Sequence, residues 1–242
     1  MPANIMEKAN LMLLQTAMDK EIIITTDGSH SVSIPEMGVT YHSSHGAIQE
    51  SMHVFIEAGL RYVSANEKKQ SNISVLEMGF GTGLNALLTI SEAEKNQQKI
   101  YYETIELYPL EANIFSSLNY CEQLQRPDLQ ALFELIHRCP WNTTITVTPY
   151  FNFKKRQADL TDFSTNQFFD VVYFDAFAPE KQPLLWTAEV FKKLYGLMHA
   201  NAVLTTYCSK SVVRKAMTEA GLKVEKIPGP PHKREMVRAV KL

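Results

Sequence analysis

The sequence predicts one α/β domain built on a doubly wound sheet, and three observations support this fold class. The chain has 242 residues, 45% of them hydrophobic, which is enough to bury one sizeable core. From residue 74 onward, apolar strand patterns alternate with helical patterns. Three glycines within five residues follow the first of these strands. Crossover helices between parallel strands produce this alternation, so we expect helices on both faces of the sheet.

The region before this alternation predicts a short hairpin followed by a helix. Residues 22–26 are β-branched and end at the turn signal Asp27-Gly28, after which residues 31–34 can return as the second strand. Residues 46–62 have helical spacing. We therefore expect residues 1–70 to be an N-terminal extension packed on the core and residues 71–242 to be the main domain, in one globular unit.

The main domain is predicted element by element. The strands are expected at residues 75–78, 100–107, 169–174, 202–207, 223–227 and 236–240. Helices are expected at residues 84–93, 126–137, 187–198 and 211–220. A further helix is expected to open with Pro109, since proline is tolerated at the first position of a helix. Residues 143–156 alternate like a small β ribbon interrupted at Pro149. Ligands of such sheets bind at the carboxyl ends of the strands, so functional motifs are expected there.

Composition excludes several classes of protein. The 10 glycines and 11 prolines are too few for a disordered or collagen-like chain. Three cysteines, at positions 121, 139 and 208, give neither a disulfide framework nor a zinc motif. The apolar run at residues 11–14 is too short for a signal peptide or a membrane span. A cytoplasmic protein with no membrane attachment is expected.

Charge is distributed unevenly along the chain. The formal net charge is −2, but residues 181–242 contain twelve Lys or Arg and four Asp or Glu. This basic C-terminal quarter is either a solvated face or a surface that contacts phosphates, because polyanion binding depends on local positive charge.

The segment from Glu77 to Asn85 reads Glu-Met-Gly-Phe-Gly-Thr-Gly-Leu-Asn and lies where the first strand of the main domain meets its helix. Glycines at positions 79, 81 and 83 allow a sharp turn and close approach of a ligand to the backbone. A P-loop would need Gly-Lys-Ser/Thr, and a dinucleotide fingerprint would need glycine where Leu84 stands. Glu77 would repel a pyrophosphate but suits a ligand with a sulfonium and an amino acid group. Glu77, Gly79, Phe80, Gly81, Gly83 and Asn85 are the predicted cofactor-binding residues of this turn.

Two further acids follow later strands. Glu106 ends the second strand, where a carboxylate can accept hydrogen bonds from two ribose hydroxyls. Asp159 follows the β ribbon, where it could hold an adenine amino group, although Asp also caps helices and turns.

The strand at residues 169–174 delivers Asp175 to the carboxyl edge of the sheet, before a loop that contains Phe177 and Pro179. A purely structural Asp would cap the next helix, but the prolines from Pro179 to Pro183 delay that helix. We predict that Asp175 is the catalytic residue and also borders the cofactor.

Several motifs together resemble the MnmC-like tRNA methyltransferases. They are the glycine turn, Phe-Asp-Ala-Phe-Ala-Pro at 174–179 with its continuation to Thr187, Thr-Thr-Tyr-Cys-Ser at 205–209, and Pro-Gly-Pro-Pro-His-Lys-Arg-Glu-Met at 228–236. Asp-Gly-Ser at 27–29 and Tyr-His-Ser-Ser-His-Gly-Ala at 41–47 also resemble that family. The resemblance implies a class I S-adenosylmethionine-dependent methyltransferase fold, with residues 71–242 as the methyltransferase domain.

The resemblance also implies a reaction. Such enzymes use S-adenosylmethionine to methylate the 5-aminomethyl group of the (2-thio)uridine at the tRNA wobble position, giving 5-methylaminomethyl-2-thiouridine. A flavin-dependent oxidase domain follows in bifunctional relatives, whereas this sequence resembles the stand-alone form without that domain. Contacts to the tRNA anticodon arm are expected from Lys210, Arg214, Lys233 and Arg234 through phosphates, and from Phe177 and Tyr207 through stacking on an extruded base.

Other functions stay open at this stage. A small-molecule amine transferase of the aminopropyltransferase type also places an acid after a strand, but the basic C-terminal quarter disfavours a polyamine. A non-catalytic RNA-binding module with the same fold would be expected to have lost its acids or glycines. His42 and His45 have no Cys or carboxylate beside them at metal spacing, so no metal is expected.

Overall fold

The computed structural model describes residues 18–66 and 72–242. Its N-terminal part begins with a small antiparallel sheet of β1 (Glu21–Ile24), β2 (His30–Ile34) and β3 (Val39–Thr40). β1 and β2 form the expected hairpin, since Ile24 pairs with His30 across the turn. Gly28 has a φ of 83° in this turn, which favours glycine. The hairpin prediction is confirmed.

One long helix, α1, follows this small sheet. It starts as an α-helix at Ala47–Ser51, continues as a π-helix at Met52–Arg61 and ends as an α-helix at Tyr62–Asn66. A Cβ atom on Gly59 would lie 3.1 Å from the Tyr173 ring, so the helix approaches the main sheet most closely there. The predicted helix at 46–62 is confirmed and extends a further turn.

The main sheet of the described residues has the strand order β10-β11-β9-β8-β4-β5-β7-β6. Its strands are β4 (Asn72–Met78), β5 (Lys99–Glu106), β6 (Thr144–Thr148), β7 (Phe151–Gln157), β8 (Phe169–Phe174), β9 (Met198–Thr206), β10 (Lys223–Pro228) and β11 (Glu235–Val240). β4, β5, β7, β8 and β9 run parallel, while β6, β10 and β11 pair antiparallel with their neighbours. The predicted ribbon is the β6–β7 hairpin, which extends this sheet at one edge.

The helices of the main domain lie close to the predicted positions. They are α2 (Leu84–Asn96), α3 (Ala112–Phe115), α4 (Tyr120–Gln123), α5 (Gln130–Arg138), α6 (Ala188–Gly196) and α7 (Ser211–Glu219), with 3-10 turns at Pro35–Met37, Pro127–Leu129 and Pro183–Trp186. The prediction that Pro109 opens a helix is wrong, because α3 begins at Ala112. The Tyr108 N–H donates instead to the Glu106 side chain at 2.7 Å, which holds the chain in a bend.

Two hydrophobic clusters cover the two faces of the sheet, as expected for a doubly wound fold. Alternate residues of the same strand enter different clusters: Tyr173 faces α1 and α2, whereas Val172 and Phe174 face α6 and α7. The first cluster also contains Val32 and Val54 from the N-terminal part. The division of the chain at residue 70 stays a prediction.

The parallel register brings the functional segments to one edge of the sheet. Met78 of β4 pairs with Ile105 of β5 on one side and with Phe174 of β8 on the other. The glycine turn, Glu106 and Asp175 therefore leave the sheet side by side. Within the described ranges, the search for a helix long and apolar enough to span a membrane found none.

Candidate active site

A cavity of about 670 Å³ opens at this edge of the sheet. Its wall includes eight of the predicted site residues: Gly79, Phe80, Gly81, Asn85, Glu106, Asp159, Asp175 and Phe177. The wall therefore brings together the glycine turn, the acids after β5 and β7, and the acid after β8. The wall does not include Glu77, Gly83, Tyr207 or the four basic residues.

The glycine turn is shaped by close contacts with neighbouring segments. Gly79 has a φ of 88°, and a Cβ atom there would lie 2.9 Å from the Asp175 carbonyl oxygen. A Cβ atom on Gly83 would lie 2.7 Å from His137 Nε2, which itself contacts the Thr82 carbonyl oxygen at 3.1 Å. A side chain at either position would push the turn away from β8 or α5, so these glycines allow the cavity to form.

Glu106 fastens the glycine turn to the end of β5. Its Oε2 atom accepts a hydrogen bond from the Gly81 N–H at 3.0 Å, and its Oε1 atom accepts one from the Tyr108 N–H at 2.7 Å. A carboxylate has about four lone-pair positions, so acceptor capacity remains for ligand hydroxyls. Burial raises the pKa of this carboxyl, while the backbone hydrogen bonds lower it.

Glu77 is fully buried under the turn. Thr104, Asn85 and Tyr102 surround its carboxyl, and their hydrogen bonds lower its pKa. These contacts are weak, because none of them has good hydrogen-bond geometry in the described part of the chain. Burial and the charge of Asp175 raise the pKa of the Glu77 carboxyl to about 8. A buried carboxyl with only weak hydrogen bonds is costly for a fold, and a cationic ligand group nearby would offset this cost.

Asp175 lies directly after β8, with its side chain in the cavity wall. Its Oδ2 atom accepts a hydrogen bond from Asn85 Nδ2 at 2.9 Å. Burial raises the pKa of this carboxyl to about 7, and the Asn85 hydrogen bond opposes that effect. The loop that follows is fixed by Trp186 Nε1, which donates to the Phe177 carbonyl oxygen at 2.8 Å. Asp175 is therefore held in place and can exchange a proton near neutral pH.

Asp159 combines a cavity position with a local structural role. Its Oδ1 atom accepts hydrogen bonds from the Thr161 backbone N–H at 2.8 Å and from the Thr161 hydroxyl at 2.7 Å. Asp159 thus stabilises a turn, as the sequence analysis considered. The contact of Asp159 with an adenine amino group stays a prediction.

The N-terminal extension supplies residues that the sequence analysis did not assign to the site. Tyr41 and His42 line the cavity, and the Tyr41 ring meets the Phe177 ring edge to face with centroids 5.2 Å apart. Complete burial lowers the pKa of His42 to about 4, so this imidazole is neutral. The resemblance of residues 41–47 to the family motif was the signal available for these residues, but their place in the fold was not evident.

The four basic residues Lys210, Arg214, Lys233 and Arg234 lie outside the cavity wall, and we call the surface that carries them the rim. Lys210 pairs with Glu180, and Arg214 Nε donates to the Ser209 carbonyl oxygen at 3.1 Å. Lys233 Nζ lies 2.5 Å from Glu50 Oε1. Arg234 is exposed to solvent.

The possible metal ligands and the cysteines of the described residues bear on metal and thiol chemistry. The described residues contain no group of three or more His, Cys, Asp or Glu that could hold a metal ion. The cysteines 121, 139 and 208 are buried and unpaired, and burial raises the pKa of each thiol. None has the lowered pKa of an activated thiolate.

Comparison with known proteins defines the class of this chain. A family model described as S-adenosyl-L-methionine-dependent methyltransferase matches residues 151–242. The crystal structure of MNMC2 from Aquifex aeolicus superimposes with a TM-score of 0.74 and 25% sequence identity, covering 96% of this chain and 76% of that one. With the glycine turn and the acids at the strand ends, these matches define a class I S-adenosylmethionine-dependent methyltransferase.

Curated relatives narrow the class further. The tRNA 5-methylaminomethyl-2-thiouridine biosynthesis bifunctional protein MnmC of Pseudomonas putida is 30% identical over 207 residues, and that of Leptospira interrogans is 28% identical over 207 residues. These alignments cover 80% and 81% of this chain but 31% and 32% of the relatives. The chain thus spans about a third of the length of the curated relatives it matches. The resemblance to the MnmC-like methyltransferases is confirmed.

Proposed function

We propose that this enzyme methylates the 5-aminomethyl group of the (2-thio)uridine at the tRNA wobble position, giving 5-methylaminomethyl-2-thiouridine. The observation that carries this proposal is the position of Asp175, whose carboxylate faces a cavity shared with the glycine turn. Its raised pKa suits the removal of a proton from an amine. The names of the curated relatives supply the substrate class. We also propose a cytoplasmic location, where such tRNAs are found.

The cavity fits S-adenosylmethionine. Glu106 retains acceptor capacity for ribose hydroxyls, and Asp159 borders the same cavity on the next strand. Glu77 is buried with only weak hydrogen bonds in the described residues, and Asn85 in the cavity wall is next to it. We propose that this pair faces the cationic amino acid group of the cofactor. When bound, the cofactor supplies an electrophilic methyl group on a sulfonium.

The protein contributes position and proton control. Methyl transfer forms one nitrogen–carbon bond and breaks one carbon–sulfur bond, whose electron pair stays on sulfur. The acceptor amine must be neutral to attack, so an acceptor that arrives as an ammonium ion must first lose one proton. After transfer, the positive charge of the sulfonium lies on the product nitrogen. Asp175 is placed to hold or accept that proton, while Asn85 fixes the orientation of its carboxylate.

Recognition of the tRNA anticodon arm is proposed for the rim. Lys210, Arg214 and Arg234 belong to the basic C-terminal quarter and can contact phosphates. Phe177 lies in the cavity wall, and the Tyr207 hydroxyl donates to the Ala176 carbonyl oxygen at 2.9 Å, so both rings are close to Asp175. A base extruded from the anticodon loop could stack on either ring.

The test is a methylation assay with purified protein. The substrate is tRNA from cells that lack this enzyme, with tritiated S-adenosylmethionine as donor and nucleoside analysis as readout. We expect label in 5-methylaminomethyl-2-thiouridine and none with Asp175→Ala. Transfer of label to a small-molecule amine, with none to tRNA, would favour the aminopropyltransferase-like alternative.

A further inference from the structure

A second network of polar residues joins α1 to the C-terminal turn beside the active site. Glu50 of α1 is 8% exposed. Its Oε2 atom accepts a hydrogen bond from the Ser43 backbone N–H at 2.8 Å, and its Oε1 atom lies 2.5 Å from Lys233 Nζ. Both carboxylate oxygens of Glu50 are therefore engaged, and the Lys233 side chain is drawn inward from the rim.

Tyr207 holds the same ammonium group from another side. Lys233 Nζ lies 4.5 Å from the centroid of the Tyr207 ring, a distance at which a cation interacts favourably with the ring face. The Lys233 side chain is only 34% exposed. Because the Tyr207 hydroxyl donates to Ala176, the residue after Asp175, the ammonium is fixed to the wall that carries the catalytic carboxylate.

The N-terminal hairpin explains why Glu50 lies there. Asp27 Oδ2 accepts a hydrogen bond from the Gln49 backbone N–H at 3.0 Å, and Ser29 Oγ accepts one from the Ala47 N–H at 3.2 Å. The Asp27-Gly28-Ser29 turn thus caps the first turn of α1 from outside the helix. The His45 and His232 rings stack with centroids 4.3 Å apart, so the segment that precedes α1 also contacts the C-terminal turn that carries Lys233. The motif at residues 27–29 therefore builds a support for Glu50.

Charges from several elements act on the Asp175 carboxyl. Glu50 raises its pKa, and Lys233 lowers it. Glu77 on β4, Tyr102 on β5 and Tyr207 after β9 are the other titratable groups coupled to it by charge, and only the first of these is acidic enough to matter near neutrality. Lys233 is the basic side chain among the groups whose charges act on Asp175.

We propose that Lys233 is a positioning residue of the methyl transfer. Fixed between Glu50 and Tyr207, its positive charge offsets the negative charge of Glu50 near Asp175, so that Asp175 can ionise near neutral pH and take a proton from the acceptor amine. This inference rests on the proposed function, and it differs from the phosphate contact predicted for Lys233 from the sequence. The proton lost by the amine goes to Asp175 and then to solvent.

A direct test measures the titration of Asp175 without any substrate. Protein labelled with carboxyl-¹³C aspartate is titrated by NMR, and the Asp175 signal is assigned with Asp175→Asn. Lys233→Met should move the midpoint upward by about half a unit to one unit. Lys233→Arg keeps the charge and should restore the wild-type midpoint. A midpoint that is unchanged in Lys233→Met overturns the proposal.

The matched control is Lys226→Met. Lys226 Nζ lies 2.8 Å from Glu235 Oε1 in a more exposed ion pair on the same C-terminal hairpin. Losing this charge should leave the Asp175 midpoint unchanged, and an equal shift would mean that net charge alone is responsible. If Lys233→Met melts too early for titration, Lys233→Gln, which keeps a donor for Glu50, replaces it.

Kinetics with tRNA then separates positioning from docking. If Lys233 positions the reaction, the acidic limb of kcat/KM in Lys233→Met moves to higher pH, and KM at high pH changes less than about twofold. If Lys233 binds a phosphate, KM rises at every pH and the salt dependence of binding falls, which overturns the proposal. A shifted Asp175 midpoint in a protein that does not methylate tRNA would refute the proposed function but not the charge arrangement.

Discussion

Glu77 offers a sharp test of the electrostatics beneath the glycine turn. Burial and the Asp175 charge raise the pKa of its carboxyl from the ordinary value of 4.5 to about 8. Between these two pH values the folded protein holds a proton that the unfolded chain has lost. The free energy of unfolding therefore falls as pH rises through this range.

Other groups determine where this effect can be measured. The Asp175 carboxyl behaves in the same way up to its pKa of about 7. His42 and His137 have folded pKa values of about 4 and about 3, so below their ordinary value of 6.5 the unfolded chain binds the extra proton. Below pH 6.5 the histidines oppose the carboxyls. Between about pH 6.5 and 8 the effect of Glu77 on the free energy of unfolding is therefore least obscured by the other groups.

The substitution is Glu77→Gln, which keeps the shape and removes the titration. One proton changes stability by about 1.4 kcal/mol per pH unit, so the interval from pH 6.5 to 8 corresponds to about 2 kcal/mol. We compare the free energy of unfolding of the variant with that of the wild type at each pH. The difference, variant minus wild type, should increase by about 2 kcal/mol between pH 6.5 and 8, whatever its value at pH 6.5.

Urea denaturation followed by circular dichroism at several pH values measures this difference. Glu57→Gln is the control, because Glu57 is about half exposed on α1; its difference from wild type should stay constant within about 0.5 kcal/mol. A constant difference for Glu77→Gln as well would mean that Glu77 is already ionised in the fold, and the reasoning from burial would be refuted.

Three further predictions concern ligands. Glu106→Ala should weaken S-adenosylmethionine binding by about 10-fold to 100-fold in calorimetry, because a charged acceptor and the Gly81 anchor are lost together; unchanged affinity would remove Glu106 from the site. Asp175→Asn should lower kcat by about 10² to 10⁴ with little change in cofactor affinity, and near-normal kcat would leave Asp175 a structural role. Changing Arg214 and Arg234 to Ala should lower tRNA affinity and reduce the slope of log affinity against log salt by about one to two units; an unchanged slope would contradict phosphate docking.

The sequence was sufficient for most of the fold because its strong signals are local. The apolar strand at 169–174 and the glycine turn at 79–83 each carry their pattern in a few consecutive residues. Once parallel strands are assigned, their carboxyl ends must meet, which brings Glu106 and Asp175 to the cavity without knowledge of packing. The error at Pro109 arose where one local preference competes with another, since the Glu106 side chain accepts the Tyr108 N–H two residues on and bends the chain before a helix can begin.

The acceptor side of the site could not be assembled in this way. Glu50 and Lys233 are 183 positions apart and meet only because α1 crosses the sheet next to the turn between β10 and β11. Nothing in the spacing of either segment indicates such a pair. The carboxylates nearer to Lys233 in sequence bind other residues: Glu235 binds Lys226, and Glu225 binds Arg238.

The two halves of the site therefore depend on different parts of the chain. The cofactor half follows from the order of parallel strands, which many methyltransferases with unrelated substrates can share. The acceptor half is assembled from the hairpin turn at 27–29, α1 and the C-terminal turn, all outside the first strands of the sheet. A change such as Asp27→Ala removes the acceptor of the Gln49 N–H without touching the cavity. On this argument it should disturb methyl transfer more than cofactor binding, because the support it weakens is that of Glu50 and Lys233.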